Sequence, residues 1–148
     1  MQAKDTGNVG GCFGSAGPGG THTLNGLYDA REEQVPVLAL IGQFGTAGLN
    51  LDTFQEMNEN PIYADVAVYN RQVSTAAQMP HVVDEAIRQA YAKKGVAVVQ
   101  IPVNLGWEDV GENEWYSSAG SFRRFPNPEL DRNDIAEAVH IPNPAERP

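Results

Sequence analysis

The sequence predicts an α/β fold in which a parallel sheet carries helices on both faces. Two continuously apolar runs, residues 35–41 and Val96–Pro102, are typical of strands that are buried on both sides. Amphipathic helical patterns alternate with these runs, as in a βαβ arrangement. This alternation implies parallel strands joined by right-handed crossovers, and ligands of such sheets bind beyond the carboxyl ends of the strands.

Composition narrows the function classes. The chain has 148 residues, 41% of them hydrophobic and 20% charged, as in an ordinary globular domain. Its net charge of −9 argues against nucleic acid or an anionic membrane surface as a partner. The single cysteine, Cys12, allows no internal disulfide, and no apolar run is long enough to cross a membrane. We therefore expect a cytoplasmic protein.

The first strand and the first helix are expected on either side of a glycine-rich turn. Residues 8–13 predict a short strand that ends at Gly14, with Cys12 and Phe13 buried. A helix is predicted over residues 19–34 from the spacing of its apolar side chains, and Pro18 suits its first turn.

The second strand, residues 35–41, stops at Gly42 and leads into a glycine-rich loop over residues 42–50. A short helix is predicted over residues 53–58, with Asp52 as its N-cap. These residues would follow the second strand at the same end of the sheet as the first glycine turn.

The second half of the predicted sheet follows the same scheme. Residues 66–73 predict a short strand, and residues 80–94 predict a helix that Gly95 closes. The second buried strand, Val96–Pro102, comes directly afterwards. This completes a partial domain over residues 1–106.

The tail, residues 107–148, mixes acidic, aromatic and small residues without a sustained period. It predicts an extended linker and the start of a further domain, with one helix over residues 131–140.

The stretch over residues 14–22 has the strongest chemical signal, because its four glycines allow a backbone to approach a ligand closely. It is not a dinucleotide fingerprint, since His22 occupies the last glycine position. A P-loop would need Gly-Lys-Ser/Thr, and the histidines have no zinc-ligand spacing. A nucleotide-binding domain stays open as a weak alternative.

Four segments together resemble a known family. They read Gly-Pro-Gly-Gly-Thr-His at residues 17–22, Val-Pro-Val-Leu-Ala-Leu-Ile-Gly-Gln at 35–43, Asp-Thr-Phe-Gln-Glu at 52–56 and Gly-Val-Ala-Val-Val-Gln-Ile-Pro at 95–102. In this order they are similar to the pyrimidine-binding domain of thiamine-diphosphate enzymes, and within them to the flavin-dependent pyruvate oxidases.

The resemblance implies a cofactor-binding role for five residues. The backbone of Gly17 and Gly19, together with Pro18, would line the aminopyrimidine ring of thiamine diphosphate. His22 would reach the pyrimidine or the reacting centre, and Gln55 would contact cofactor and substrate. A flat, mostly apolar ring needs this combination of close backbone and a few aimed polar groups.

The resemblance also implies catalytic roles for Gln55, Phe54 and His22. Phe54 would wall the active site on the side that faces the flavin. Gln43 and Phe44 would shape the neighbouring substrate loop. No residue of this chain is assigned to a metal.

The implied parent enzyme uses thiamine diphosphate, Mg²⁺ and FAD to convert pyruvate, phosphate and O₂ into acetyl phosphate, CO₂ and H₂O₂. It would be a homo-oligomer, and the resemblance favours a tetramer. In this family a glutamate one βα unit upstream of the glycine stretch hydrogen-bonds the pyrimidine. We expect that unit, the Mg²⁺ site and most FAD contacts to lie outside this chain, so the chain alone is expected to be inactive.

Alternative functions stay open at this point. The parent could be an acetolactate synthase or a quinone-linked pyruvate dehydrogenase, because the segments that separate these enzymes lie elsewhere. A truncated, non-catalytic module that binds a partner subunit is the alternative from another class.

Overall fold

A computed structural model describes residues 2–110, 133 and 135–137 of the chain. In chain order the elements are α1 (Gln2–Thr6), β1 (Gly10–Gly14), α2 (Pro18–Thr21), α3 (Leu24–Glu32), β2 (Val37–Gln43), α4 (Glu59–Tyr63), β3 (Ala67–Gln72), α5 (Met79–Lys93) and β4 (Val96–Pro102). Short 3₁₀ helices cover Thr46–Gly48, Ala76–Gln78 and Val103–Trp107.

The four strands form one parallel sheet in the order β1-β2-β4-β3. The central pair has Val37 opposite Val96, and β1 has Gly14 opposite Ile41. The parallel α/β sheet predicted from the sequence is confirmed, and β4 has the bounds that the apolar run predicts.

Helices pack on both faces of the sheet because β4 is apolar on both sides. Its side chains alternate: Val96 and Val98 join a core with α3 and α4, whereas Ala97 and Val99 join a second core with α5. All four are fully buried. This alternation explains why the strand reads as a continuous apolar run rather than a polar–apolar repeat.

The region around the glycine turn departs from two expectations. The helix predicted over residues 19–34 is divided into α2 and α3, because the N–H and the hydroxyl of Thr23 both donate to Gly20 O, at 3.0 and 2.7 Å. Phe13 was expected to be buried but is 87% exposed. It lies on β1, which pairs only with β2 among the described strands.

The helix predicted over residues 53–58 is wrong. Asn50, Asp52 and Gln55 have positive φ angles of 65°, 52° and 64°, which an α-helix cannot contain. The helix begins instead at Glu59, with Asn58 rather than Asp52 at its N-cap.

The end of α5 also differs from expectation. Lys94, with φ 47°, adopts the left-handed cap conformation that we expected of Gly95. Gly95 is required for packing, since a Cβ there would lie 2.7 Å from Val68 Cγ1.

No helix among the described residues is long and apolar enough to cross a membrane. The predicted linker and the helix over residues 131–140 lie mostly outside the described residues. Within that helix, Asn133 and residues 135–137 are helical.

Candidate functional site

Two glycine-rich segments meet at the carboxyl ends of β1 and β2. A Cβ built on Gly42, near the end of β2, would lie 3.5 Å from Gly14 O and 3.5 Å from Ala16 N. The turn after β1 therefore lies against the end of β2, where the loop after β2 begins. Ligands of parallel α/β sheets bind at this edge.

Gly17 allows the turn before α2 to pack closely against its neighbours at this edge of the sheet. It is buried, and its φ of 63° and ψ of −115° are accessible almost only to glycine. A Cβ at Gly17 would lie 2.4 Å from Gln55 O, a distance that no side chain tolerates. The turn before α2 and the loop that contains Gln55 are thus packed backbone against backbone.

Pro18 begins α2, in agreement with its expected place in the first turn of a helix, and it is exposed. The N–H groups of Thr21 and His22 close the helical turn by donating to Gly17 O and Pro18 O at 3.0 and 3.1 Å. Gly19 is half-buried, and a Cβ there would lie 2.0 Å from Oγ of the exposed Ser15. Of these residues, Pro18 offers an apolar surface to solvent.

The loop after β2 is held by the carboxylate of Glu56. Its two oxygens accept hydrogen bonds from the N–H of Asn50, the N–H of Thr53 (3.0 Å) and the hydroxyl of Thr53 (3.2 Å). The hydrogen bond from Asn50, followed by that from Thr53, lowers the pKa of Glu56. This arrangement leaves Phe54 83% exposed and Gln55 exposed at the surface.

Gln43 and Phe44 lie at the base of this loop. The buried side chain of Gln43 donates to Met57 O at 3.0 Å and accepts from Phe44 N at 2.7 Å. The ring of Phe44 packs on Gly48, where a Cβ would be 2.8 Å from it. Both residues support the loop, and only Phe44 offers an exposed surface.

His22 lies at the other end of α2. Its exposed side chain lines a cavity of about 410 Å³ along β1, with Gly11, Cys12 and Leu27 among the other lining residues. No hydrogen bond joins His22 to Gln55 within the described part of the chain. The structure brings Gly17 and Gln55 together, and it places His22 about one helical turn from Pro18.

Sequence reasoning missed Glu59. This side chain is only 2% exposed, and its Oε1 accepts a hydrogen bond from the Gly17 N–H at 3.0 Å. Its Oε2 is buried with no hydrogen-bond partner in the described structure. Burial raises the pKa of Glu59, and the hydrogen bond from Gly17 opposes that rise. No local pattern distinguishes this glutamate from an exposed one at a helix start.

Comparison with known proteins identifies the class. Residues 1–62 match the family described as "Thiamine pyrophosphate enzyme, N-terminal TPP binding domain". The match includes the glycine turn and Gln55, and it agrees with the resemblance seen in the sequence.

The relatives specify the class further. The chain is 63% identical to the pyruvate oxidase of Lactiplantibacillus plantarum over 146 aligned residues, which make up 99% of this chain. It is 33% identical to an acetolactate synthase large subunit of Lactococcus lactis over 74% of this chain, and 27% identical to acetolactate synthase isozyme 2 large subunit of Escherichia coli over 88%. The chain is thus a homologue of pyruvate oxidase. It spans 24%, 19% and 24% of the lengths of these relatives.

Proposed function

We propose that this segment forms the aminopyrimidine side of the thiamine diphosphate site in a pyruvate oxidase. The observation that carries the proposal is the contact between the Gly17 turn and the backbone of Gln55, which brings together two of the four family-like segments, residues 17–22 and 52–56. The 63% identity to a pyruvate oxidase supports this choice of enzyme.

The exposed side chains at this edge fit an aminopyrimidine ring. Pro18 and Phe54 are apolar and exposed, and Phe44 is 37% exposed beside the same loop. Exposed apolar side chains next to a polar Gln55 are typical of a site for a flat ring with a polar edge.

Each residue has a distinct proposed role. Pro18 and the backbone of Gly17 and Gly19 bind one face of the ring, while Gln55 orients cofactor and substrate by hydrogen bonding. Phe54 excludes water from the reacting centre, and His22 approaches it from the end of α2. When bound, thiamine diphosphate supplies the nucleophilic carbon and the electron sink for decarboxylation.

The proposed overall reaction consumes pyruvate, phosphate, O₂ and a proton and releases acetyl phosphate, CO₂ and H₂O₂. The two electrons that leave the substrate pass through FAD to O₂. No group of three or more His, Cys, Asp or Glu side chains that could hold a metal occurs among residues 2–110, 133 and 135–137. We assign Mg²⁺, the diphosphate and most FAD contacts to other parts of the intact protein.

The proposal extends to assembly and location. A homo-oligomer, with a tetramer favoured, and a cytoplasmic location follow from the same enzyme class. The lone Cys12 and the net charge of −9 support a cytoplasmic location. The isolated chain is proposed to be inactive.

An acetolactate synthase is the second candidate, because several relatives carry that name at 27–34% identity. The higher identity of 63% favours the oxidase. The two reactions differ in product, since a synthase joins two keto acids and releases no peroxide.

The test is a reconstitution of the intact protein that contains this segment. Pyruvate-dependent H₂O₂ release is measured with thiamine diphosphate, Mg²⁺, FAD and phosphate, and again with each of them omitted. We expect full activity only with the complete mixture. Turnover that does not require thiamine diphosphate would contradict the proposal.

A further inference from the structure

Glu59 is the first residue of α4, the helix that follows the loop after β2, and its side chain links this helix to the glycine turn. Its Oε1 accepts the N–H of Gly17 at 3.0 Å, and a Cβ at Gly20 would lie 3.3 Å from the same oxygen. The carboxyl group thus binds the turn before α2 and lies close to Gly20 of α2. Moving Glu59 would release Gly17, and with it the contact to Gln55 O.

Hydrogen bonds from the sheet hold the helix that carries Glu59, α4, in place. The fully buried Gln100 of β4 donates through Nε2 to Asn60 Oδ1 at 3.1 Å and to Asn70 Oδ1 at 2.8 Å. Asn70 also donates to Asn60 O at 2.9 Å. Asn60 directly follows Glu59 in α4. The sheet therefore determines where the Glu59 carboxyl lies.

The surroundings of Glu59 disfavour a charge. Its Oε2 is buried without a hydrogen-bond partner, and none of the ion pairs in the described part of the chain includes it. An unpaired buried carboxylate is strongly disfavoured, whereas a neutral carboxylic acid keeps an acceptor for the Gly17 N–H. The raised pKa of Glu59, caused by burial, agrees with this view.

We propose that Glu59 is a positioning residue that, as a neutral carboxylic acid, holds the Gly17 turn against Gln55 in the conformation that binds the cofactor. This inference rests on the proposed function, because it assigns Gly17 and Gln55 to the thiamine diphosphate site. Glu59 itself touches neither cofactor nor substrate.

Two substitutions at Glu59 test whether a neutral side chain with a hydrogen-bond acceptor is sufficient and whether the acceptor is required. Glu59→Gln retains a carbonyl oxygen for the Gly17 N–H in a neutral side chain of the same length. Glu59→Leu has a similar volume but offers no acceptor. Val99→Ala is the matched control, since Val99 is fully buried and belongs to the core that includes α5, on the other face of the sheet from the core that includes α3 and α4.

The experiment uses the intact protein with Mg²⁺ and measures the dissociation constant for thiamine diphosphate together with the thermal midpoint. We expect E59L to weaken cofactor binding at least tenfold and E59Q to bind within threefold of the wild type. V99A is expected to lower the thermal midpoint while leaving the dissociation constant within twofold. The proposal would be overturned if E59Q and E59L weakened cofactor binding equally. It would also be overturned if V99A, with its lower thermal midpoint, weakened cofactor binding as much as E59L does.

Hydrogen exchange of the peptide that contains Gly17 provides a readout that does not need the cofactor. E59L is expected to accelerate exchange of the Gly17 amide at least tenfold, and E59Q is expected to preserve its protection. Unchanged protection in E59L would overturn the role of Glu59. If the wild type fails to bind thiamine diphosphate while the two variants still show this exchange pattern, the proposed function alone is refuted and the structural role of Glu59 stands.

Discussion

Gly17 lies directly against the backbone of Gln55, at a separation that leaves no room for a side chain. A Cβ on Gly17 would be 2.4 Å from Gln55 O, and the combination of φ 63° with ψ −115° at Gly17 separately disfavours residues other than glycine. Gln55 also has a positive φ, of 64°. Two unusual backbone conformations therefore meet where the cofactor ring is proposed to bind.

Replacing this glycine should disrupt both stability and binding. For Gly17→Ala we expect a loss of about 1–3 kcal/mol from backbone strain, with a further penalty from the contact with Gln55 O. Thiamine diphosphate binding by the intact protein should fall below detection. Calorimetric titration and a thermal melt measure the two effects.

Gly106→Ala is the control for this substitution. A Cβ at Gly106 would have no neighbour within 4 Å among the described residues, and its φ is not in the left-handed region. We expect a gain of up to about 1 kcal/mol and unchanged cofactor binding. Equal effects of G17A and G106A would contradict the assigned role of Gly17.

Glu59 and Glu56 should shift the pH dependence of stability in opposite directions. Burial raises the pKa of Glu59 above its ordinary 4.5. The folded state then keeps its proton at pH values where the unfolded state has lost it. Stability of the wild type relative to E59Q is therefore highest below the unfolded pKa and falls as pH rises toward the folded pKa.

For Glu56 the sign reverses. Hydrogen bonds from Asn50 and Thr53 lower the pKa of Glu56 below 4.5, so its contribution is present above that value and is lost as pH falls. Thermal midpoints of wild type, E59Q and E56Q from about pH 2.5 to about pH 8 test both trends, since the Glu56 effect falls below its ordinary pKa and the Glu59 effect above it. Parallel profiles for the two variants would refute this assignment.

Phe54 should matter for activity and not for folding. Because it is 83% exposed, Phe54→Ala is expected to change the free energy of unfolding by less than about 0.5 kcal/mol. Peroxide release at saturating cofactor should fall about tenfold, which corresponds to about 1.4 kcal/mol of transition-state stabilisation.

Leu51→Ala tests the specificity of that effect. Leu51 is 68% exposed in the same loop, so its removal creates a comparable loss of exposed apolar surface. We expect its activity to stay within twofold of the wild type. A similar loss of peroxide release in L51A and F54A would contradict a specific role for Phe54, because it would show that any exposed apolar side chain of the loop has the same effect.

Gly95 and Val68 form a packing pair that a double-mutant cycle can measure. A Cβ at Gly95 would lie 2.7 Å from Val68 Cγ1, so Gly95→Ala should cost about 1–3 kcal/mol through overpacking. Val68→Ala removes the clashing Cγ1 methyl group, and the double variant should recover about half of that loss or more. Additive losses in a denaturant titration would contradict this explanation of Gly95.

Sequence patterns predicted the sheet because burial determines its composition. The continuous apolar run of β4 reflects two covered faces, and its bounds were correct at both ends. The first glycine turn was likewise predictable, since glycine tolerates the positive φ that a tight turn requires and Pro18 has a fixed φ that suits the start of a helix. These features depend on local chemistry.

The loop after β2 could not be predicted in the same way. The sequence from Asp52 to Glu56 allows a helix, but Glu56 captures the N–H groups of Asn50 and Thr53 and stabilises a turn instead. Phe13 was misjudged because its exposure depends on the order of strands in the sheet. Glu59 escaped notice because its burial arises from contacts with a turn that lies 42 residues earlier.

The most direct test of the central claim is the fate of pyruvate labelled with ¹³C at its keto carbon. The intact protein is supplied with thiamine diphosphate, Mg²⁺, FAD, phosphate and O₂, and its products are followed by NMR. We predict that the label appears in the carbonyl of acetyl phosphate, with one H₂O₂ formed for each pyruvate consumed. Label in acetolactate without peroxide would contradict the account and favour a synthase.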